Sequence, residues 1–216
     1  MSPRRLLALF LAGLLALPAL RAAEHTLTLA DSRGRPVADA VVSLHPLDQP
    51  APPAAQPAPE ITIAQRDSEF VPLVTAVRVG TAVRFPNEDK IQHQVYSLSA
   101  AKRFEVPLHS GATAPAIALD QPGVVAVGCN IHDWMRSFVV VLDTPWFAIS
   151  GRDGVARVSA PPGRYRREIW HFRLAAPLVT EITLTDDDAA TEAVSLTLRR
   201  DRHPARREPG ADATYP

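Results

Sequence analysis

The chain holds a single cysteine, Cys129, among its 216 residues, so no intrachain disulfide can brace it. Lysine is nearly missing as well, present only at Lys90 and Lys102, and arginine supplies almost all of the 23 basic side chains. These are matched by 23 acidic ones, and a chain in balance offers no electrostatic case for gripping nucleic acid. Past the first twenty-odd residues no apolar run is long enough to cross a bilayer, and almost no stretch keeps a helical repeat. No Ser/His/Asp arrangement or paired carboxylates stand out either, which argues against an enzyme.

What is present begins with a leader-like order. Met1 to Arg5 is short and basic, Leu6 to Leu20 is apolar, and Arg21-Ala22-Ala23 ends in small residues. The apolar part is shorter than the roughly twenty residues a spanning helix needs, and Pro18 interrupts it. Residues 1–23 are therefore expected to be a signal peptide cleaved after Ala22 or Ala23, with an uncleaved anchor as the alternative; the mature protein is expected in the periplasm. Arg4-Arg5 fits a twin-arginine signal only loosely. In an oxidising compartment a lone cysteine is a free thiol, an intermolecular bridge or a metal ligand.

Short alternating runs follow: 25–29, 41–44, 76–79, 82–85, 124–127, 138–142, 155–158 and 193–198. Each is bounded by Gly, Pro, Asn or Asp, the punctuation of strands and turns, and together they predict an all-β, sandwich-type chain. Residues 49–60, rich in proline and alanine, read as an extended linker. Asp143-Thr144-Pro145 closes a strand, and residues 199–216, almost without apolar side chains, read as a disordered tail.

The chemistry concentrates in Cys129-Asn130-Ile131-His132-Asp133-Trp134-Met135, with His93 upstream at the end of an expected strand. One thiolate, two imidazoles and a weak thioether are the ligand set of a type 1 (blue) copper site. A thiolate and a thioether suit Cu(I), imidazoles suit both oxidation states, and a compromise between the two lets an electron move with little rearrangement. The lone cysteine, the spacing of His132 and Met135 and the expected export all favour His93, Cys129, His132 and Met135 as ligands of one copper ion. The alternatives are a buried structural cysteine with core methionine, or zinc, which has no need of a thioether.

Residues 61–145 resemble the cupredoxins. Val77 to Asn87 is similar to their strand, Gly-x-x turn and strand leading to an asparagine; His93-Gln94-Val95 follows, then Gly128 to Met135. The Cys-x2-His-x2-Met spacing resembles the short loop of amicyanin more than the longer one of plastocyanin. Phe70-Val71-Pro72, Phe85 to Asp89 and Ala101 to Phe104 extend the resemblance to periplasmic plastocyanin-like proteins of the methylamine-utilisation type. The resemblance implies a Greek-key β-sandwich whose ligand loops lie at one pole. It also places Gln94 where the family usually has a bracing asparagine, and Ile131 where a proline is common. Asn87 and Gln94 are then expected beside the ligands, with Ile131 and Trp134 forming an apolar collar for a transient redox partner. Asp31 to Val41, and again Ser150 to Val158, resemble a carboxypeptidase-regulatory or transthyretin-like sandwich. One sandwich split into 24–48 and 146–198, with the cupredoxin unit inserted, is expected; an enlarged cupredoxin is the alternative.

The remaining histidines, His25, His45, His109, His171 and His203, have no partner at ligand spacing. The expectation is thus a non-enzymatic, exported single-electron carrier. A copper-handling protein or a non-redox β-sandwich module are the competing readings.

Overall fold

The computed structural model describes residues 23–53, 60–111, 115–185 and 191–203. Within them there is no helix, and so none to cross a membrane. The strands are β1 (Ala23–Asp31), β2 (Val41–Pro46), β3 (Glu60–Thr62), β4 (Ala64–Arg66), β5 (Glu69–Val71), β6 (Val74–Arg78), β7 (Ala82–Arg84), β8 (His93–Ser99) and β9 (Lys102–His109). They continue as β10 (Ile117–Ala118), β11 (Gly123–Gly128), β12 (Arg136–Leu142), β13 (Phe147–Ile149), β14 (Val155–Ala160), β15 (Gly163–Trp170), β16 (Leu178–Leu184) and β17 (Thr191–Leu196). The chain is all-β as expected, and every alternating run picked out in the sequence falls on a strand.

Two buried cores organise these strands. The sheet β6-β12-β11-β8-β9 and the smaller sheet β10-β7-β3 enclose Ile63, Phe85, Val95, Leu119 and Val125, with the β4-β5 hairpin at one end. Sheets β14-β1-β17 and β13-β2-β15-β16 enclose Leu27, Leu29, Leu44, Tyr165, Ile169 and Leu196. Alternation explains both: β1 buries every second residue, and β11 turns Val125 and Val127 inward with Cys129 next in phase. Each large side chain so buried contributes about 1.5–3 kcal/mol.

Pairing follows these cores rather than chain order. β1 runs antiparallel to β14 and parallel to β17, while β2 lies between β13 and β15. Among the described residues the two amino-terminal strands therefore pair only with strands from Phe147 onward. Gly154 makes the β1–β14 approach possible: its φ is +76°, and a Cβ there would lie 2.4 Å from the Leu29 carbonyl oxygen. A third cluster, Val41 with Val74, Val140 and Leu142, joins the two sets of strands, and the Phe138 ring stacks on Phe172 at 5.2 Å.

Several boundaries differ from expectation. Ala23, which flanks the two expected cleavage points, opens β1, and Glu60, expected in the linker, opens β3. Arg199 to His203, expected within a disordered tail, is instead held in place. The Arg199 N–H donates to the Arg173 carbonyl, the Arg173 side chain donates back to the Arg199 carbonyl, and Asp201 pairs with Arg136. A polar composition hid these contacts, which are made by backbone and charge rather than by an apolar face. The rest of the expected leader, linker and tail (1–22, 54–59 and 204–216) lies outside the described residues.

Candidate metal centre

Antiparallel pairing of β11 and β12 sets Gly128 opposite Arg136, so Cys129 to Met135 is the loop that joins two neighbouring strands. Gly128 also pairs with Tyr96 of β8, and a Cβ on it would lie 3.2 Å from the Tyr96 ring. The loop is closed by its own backbone: Cys129 N–H donates to Met135 O at 3.3 Å and Met135 N–H to His132 O at 3.0 Å. His93 is the first residue of β8, not the last of a strand, and it faces inward beside the end of β11.

This packing brings the Cys129 sulfur and a ring nitrogen of each of His93 and His132 within 4.8 Å of one another. All three are buried, with exposures of 5%, 0% and 6%. Met135, the fourth expected residue, is buried in the same apolar core as Cys129. The two imidazoles lie edge to face, 4.9 Å apart. None of His25, His45, His109, His171 and His203 joins them. His109, which faces His93 across the β8–β9 pair, is instead tied by ring nitrogens to the Phe85 and Pro107 carbonyls.

The donor set fits a small soft ion. Two ligand atoms bound to one metal at ordinary metal–sulfur and metal–nitrogen lengths stand roughly 3.7 Å apart. His93 Nδ1 and Cys129 Sγ are 4.0 Å apart, so a slight contraction would seat an ion between them. Burial pushes the Cys129 thiol up, but hydrogen bonds from the His93 ring and from the Ile131, His132 and Gln94 backbone N–H groups outweigh it and bring it below the ordinary thiol value. A thiol so disposed is ready to bind metal as thiolate.

A chain of hydrogen bonds that sequence reading missed orients the imidazoles. The Asp89 carboxylate accepts from His93 Nε2 at 2.8 Å, which fixes a ring proton there, so the Nδ1 that faces Cys129 is the nitrogen left to bind a metal once its own proton is displaced. Burial acts to raise Asp89, yet N–H groups of Ser68 and Asp67 and the His93 ring together hold it below the usual carboxylate value. Asp67 and Ser68 form the tip of the β4–β5 hairpin, both with left-handed backbones (φ 54° and 55°), an arrangement that costs free energy and is held by Asp89. The Ser68 carbonyl in turn accepts from the Trp134 indole N–H at 2.9 Å, and the Trp134 ring lies 4.9 Å from that of His132. The hairpin tip thus braces both histidines. An acid four residues before a histidine carries no such signal without the hairpin that closes over it.

The other residues expected near the site divide. Asn87, buried, donates to the Ile91 and His109 carbonyls and accepts the Asp89 N–H, which shapes the loop that presents Asp89. Gln94 bonds Cys129 through its backbone only; its side chain turns outward to Glu105 on β9. Strand alternation puts it there: His93 and Val95 face the core, so position 94 faces the outer side of β8. Ile131 is exposed at 52%, whereas Trp134 is half-buried against the core.

No protein-family model matches the chain, and no curated protein matches it. Among solved structures it is similar to a reduced amicyanin variant, at 21% identity over 47% of this chain and 98% of that one, with a TM-score of 0.36. It is similar also to a purple cupredoxin from Nitrosopumilus maritimus, at 23% identity over 39% of this chain and 99% of that one, TM-score 0.33. A copper-containing nitrite reductase from Thermus scotoductus is similar at 23% identity over 54% of this chain and 28% of that one, TM-score 0.37.

Proposed function

We propose that the chain is a type 1 copper protein that carries single electrons, with His93, Cys129, His132 and Met135 holding one ion. The observation behind this reading is the buried convergence of one sulfur and two imidazoles on a single point. When bound, copper supplies a centre that alternates between Cu(I) and Cu(II), one electron at a time. The chain's own part is to hold ligands still and keep water out. Asp89 and the 67–68 hairpin tip fix the His93 ring, Trp134 packs on His132, and the strand pair β11–β12 fixes both ends of the Cys129–Met135 loop. With protein side chains in every position, a substrate would find no place on the ion, which supports a carrier rather than an enzyme.

Burial also weighs against copper delivery. A protein that hands its ion to another must expose ligands for exchange, and these are enclosed. We infer further that the strands of 23–46 and 147–196 make one sandwich interrupted by the copper unit, a reading supported by the partners of β1 and β2. An exported, periplasmic setting is inferred from the order of charge and hydropathy in Met1 to Ala23.

Addition of Cu(II) to the purified protein is expected to give an intense blue or green colour from thiolate-to-copper charge transfer. Cys129→Ser should abolish it, whereas Met135→Leu should keep the colour and raise the reduction potential. Colour that survives in Cys129→Ser would refute the ligand assignment.

A further inference from the structure

We propose that the arginine-lined surface beside the Cys129–Met135 loop is the docking site for an acidic face of a partner protein. The chain as a whole is charge-balanced, so any concentration of one sign is local. Such a concentration occurs where the strand β12 and the segments after β15 and β17 meet. A cleft of about 400 Å³ is lined by Arg136, Arg173, Arg199, Arg200, Arg202 and His203, with Asp201 its one carboxylate among the described residues. A neighbouring cleft of about 330 Å³ shares Arg173 and Arg200 and adds Arg33 and Arg35, with Asp31. Asp201 is taken up by Arg136 and Asp31 by Arg35. The guanidinium groups on this surface thus outnumber its carboxylates, and like charges gathered this closely repel one another until opposite charge is brought in from outside.

The surface is also held in shape. Arg173 and Arg199 bond through backbone and side chain in both directions, and the Arg136 guanidinium lies 5.0 Å over the Phe172 ring. A fixed array of planar guanidiniums pairs with carboxylates in forked, two-bond fashion, which lysines cannot do. Both of the chain's lysines lie elsewhere, in the β7–β8 connection and on β9.

Position decides what kind of partner fits. Arg136 and His203 also line a third cleft, of about 670 Å³, whose other walls include Cys129 and Met135. Whatever carboxylates settle on the arginines therefore bring their bearer next to the metal loop. A protein with an acidic face gains from that placement, because its own redox centre is carried to the site. This part of the argument rests on the electron-carrier reading; the charge asymmetry itself does not.

The test has two readouts, one of them independent of copper. Hexacyanochromate(III), a redox-inert paramagnetic trianion, is expected to broaden the amide resonances of Arg173 and Arg199 to His203 at low salt. The triple variant Arg199→Glu, Arg200→Glu and Arg202→Glu should lose that broadening with its strand resonances unchanged, and the triple Arg→Lys variant should retain most of it. In the copper-loaded, reduced protein, hexacyanoferrate(III) takes one electron from Cu(I) to leave Cu(II) and hexacyanoferrate(II). This rate should fall about tenfold in the Glu variant at low ionic strength and converge with the wild-type rate at high salt. The rate with the cationic oxidant tris(phenanthroline)cobalt(III) should rise. Broadening spread evenly over the molecule, or rates that do not distinguish the variants, would overturn the proposal. So would wild-type protein pelleting with phosphatidylglycerol vesicles while the Glu variant does not, since that result assigns the surface to a membrane. Localised broadening in a protein that takes up no copper would keep the surface and refute the copper reading instead.

Discussion

Each of the two cores buries a polar cluster, and the clusters differ in kind. In the core around β1, β2 and β15, Arg167 is 4% exposed and is met by Glu192 through both guanidinium arms, by Thr180 and by the His25 ring. Cation and anion are both supplied by the chain, so the cluster is complete in itself. In the core around β8 and β11, the groups that converge are a thiol and two imidazoles, all able to donate electron pairs to one point. A cluster of the first kind holds a fold together; one of the second kind suits a cation supplied from outside, as proposed above. Burial alone does not distinguish structure from function. The balance of donors and acceptors does.

The largest effect on the closed cluster is expected from Arg167→Ala, which leaves a cavity and removes the hydrogen bonds to His25, Thr180 and Glu192, while Glu192, 43% exposed, rehydrates. Chemical denaturation should show a loss of about 3 kcal/mol, with the copper colour of the folded fraction unchanged. If colour and stability fell together, the two cores would not be separable in the way described. His171 gives the next test, by pH. It is 4% exposed, and burial, helped by Arg173, lowers it from 6.5 to about 4. Between those values the unfolded chain binds a proton that the folded one refuses, so stability is full above pH 6.5 and falls as pH drops toward 4. The loss should be on the order of 3 kcal/mol, and His171→Gln should flatten the profile over this window. The smallest expected change concerns the open cluster. Asp89→Ala removes the carboxylate behind His93 and should lower copper affinity by about 10–100-fold while raising the reduction potential, as read by competitive chelation and by voltammetry. A variant with wild-type affinity and potential would show that Asp89 only closes the hairpin.

The difference between the clusters also explains what could be read from the sequence. Cys129 and His132 lie three residues apart on one loop, and a lone cysteine is conspicuous, so their approach to one another was legible from local spacing. The strands were legible because alternation is a local property too. The Asp89–Ser68–Trp134 brace was not, since it joins three segments that are separate in sequence and meet only when the β4–β5 hairpin folds over the loop. Arg167 lies 25 residues from Glu192 and 142 from His25, and no pattern marks them. Arg199 to His203 was misread for the opposite reason: its composition says tail, while its contacts with Arg173 and Arg136 are set by tertiary position.

X-ray absorption at the copper edge, on protein loaded with one equivalent of copper, tests the central claim most directly. The expected first shell is one short sulfur and two imidazole nitrogens, with the short sulfur lost in Cys129→Ser. A shell made only of oxygen and nitrogen in the unaltered protein would contradict the assignment of Cys129, and with it the electron-carrier reading.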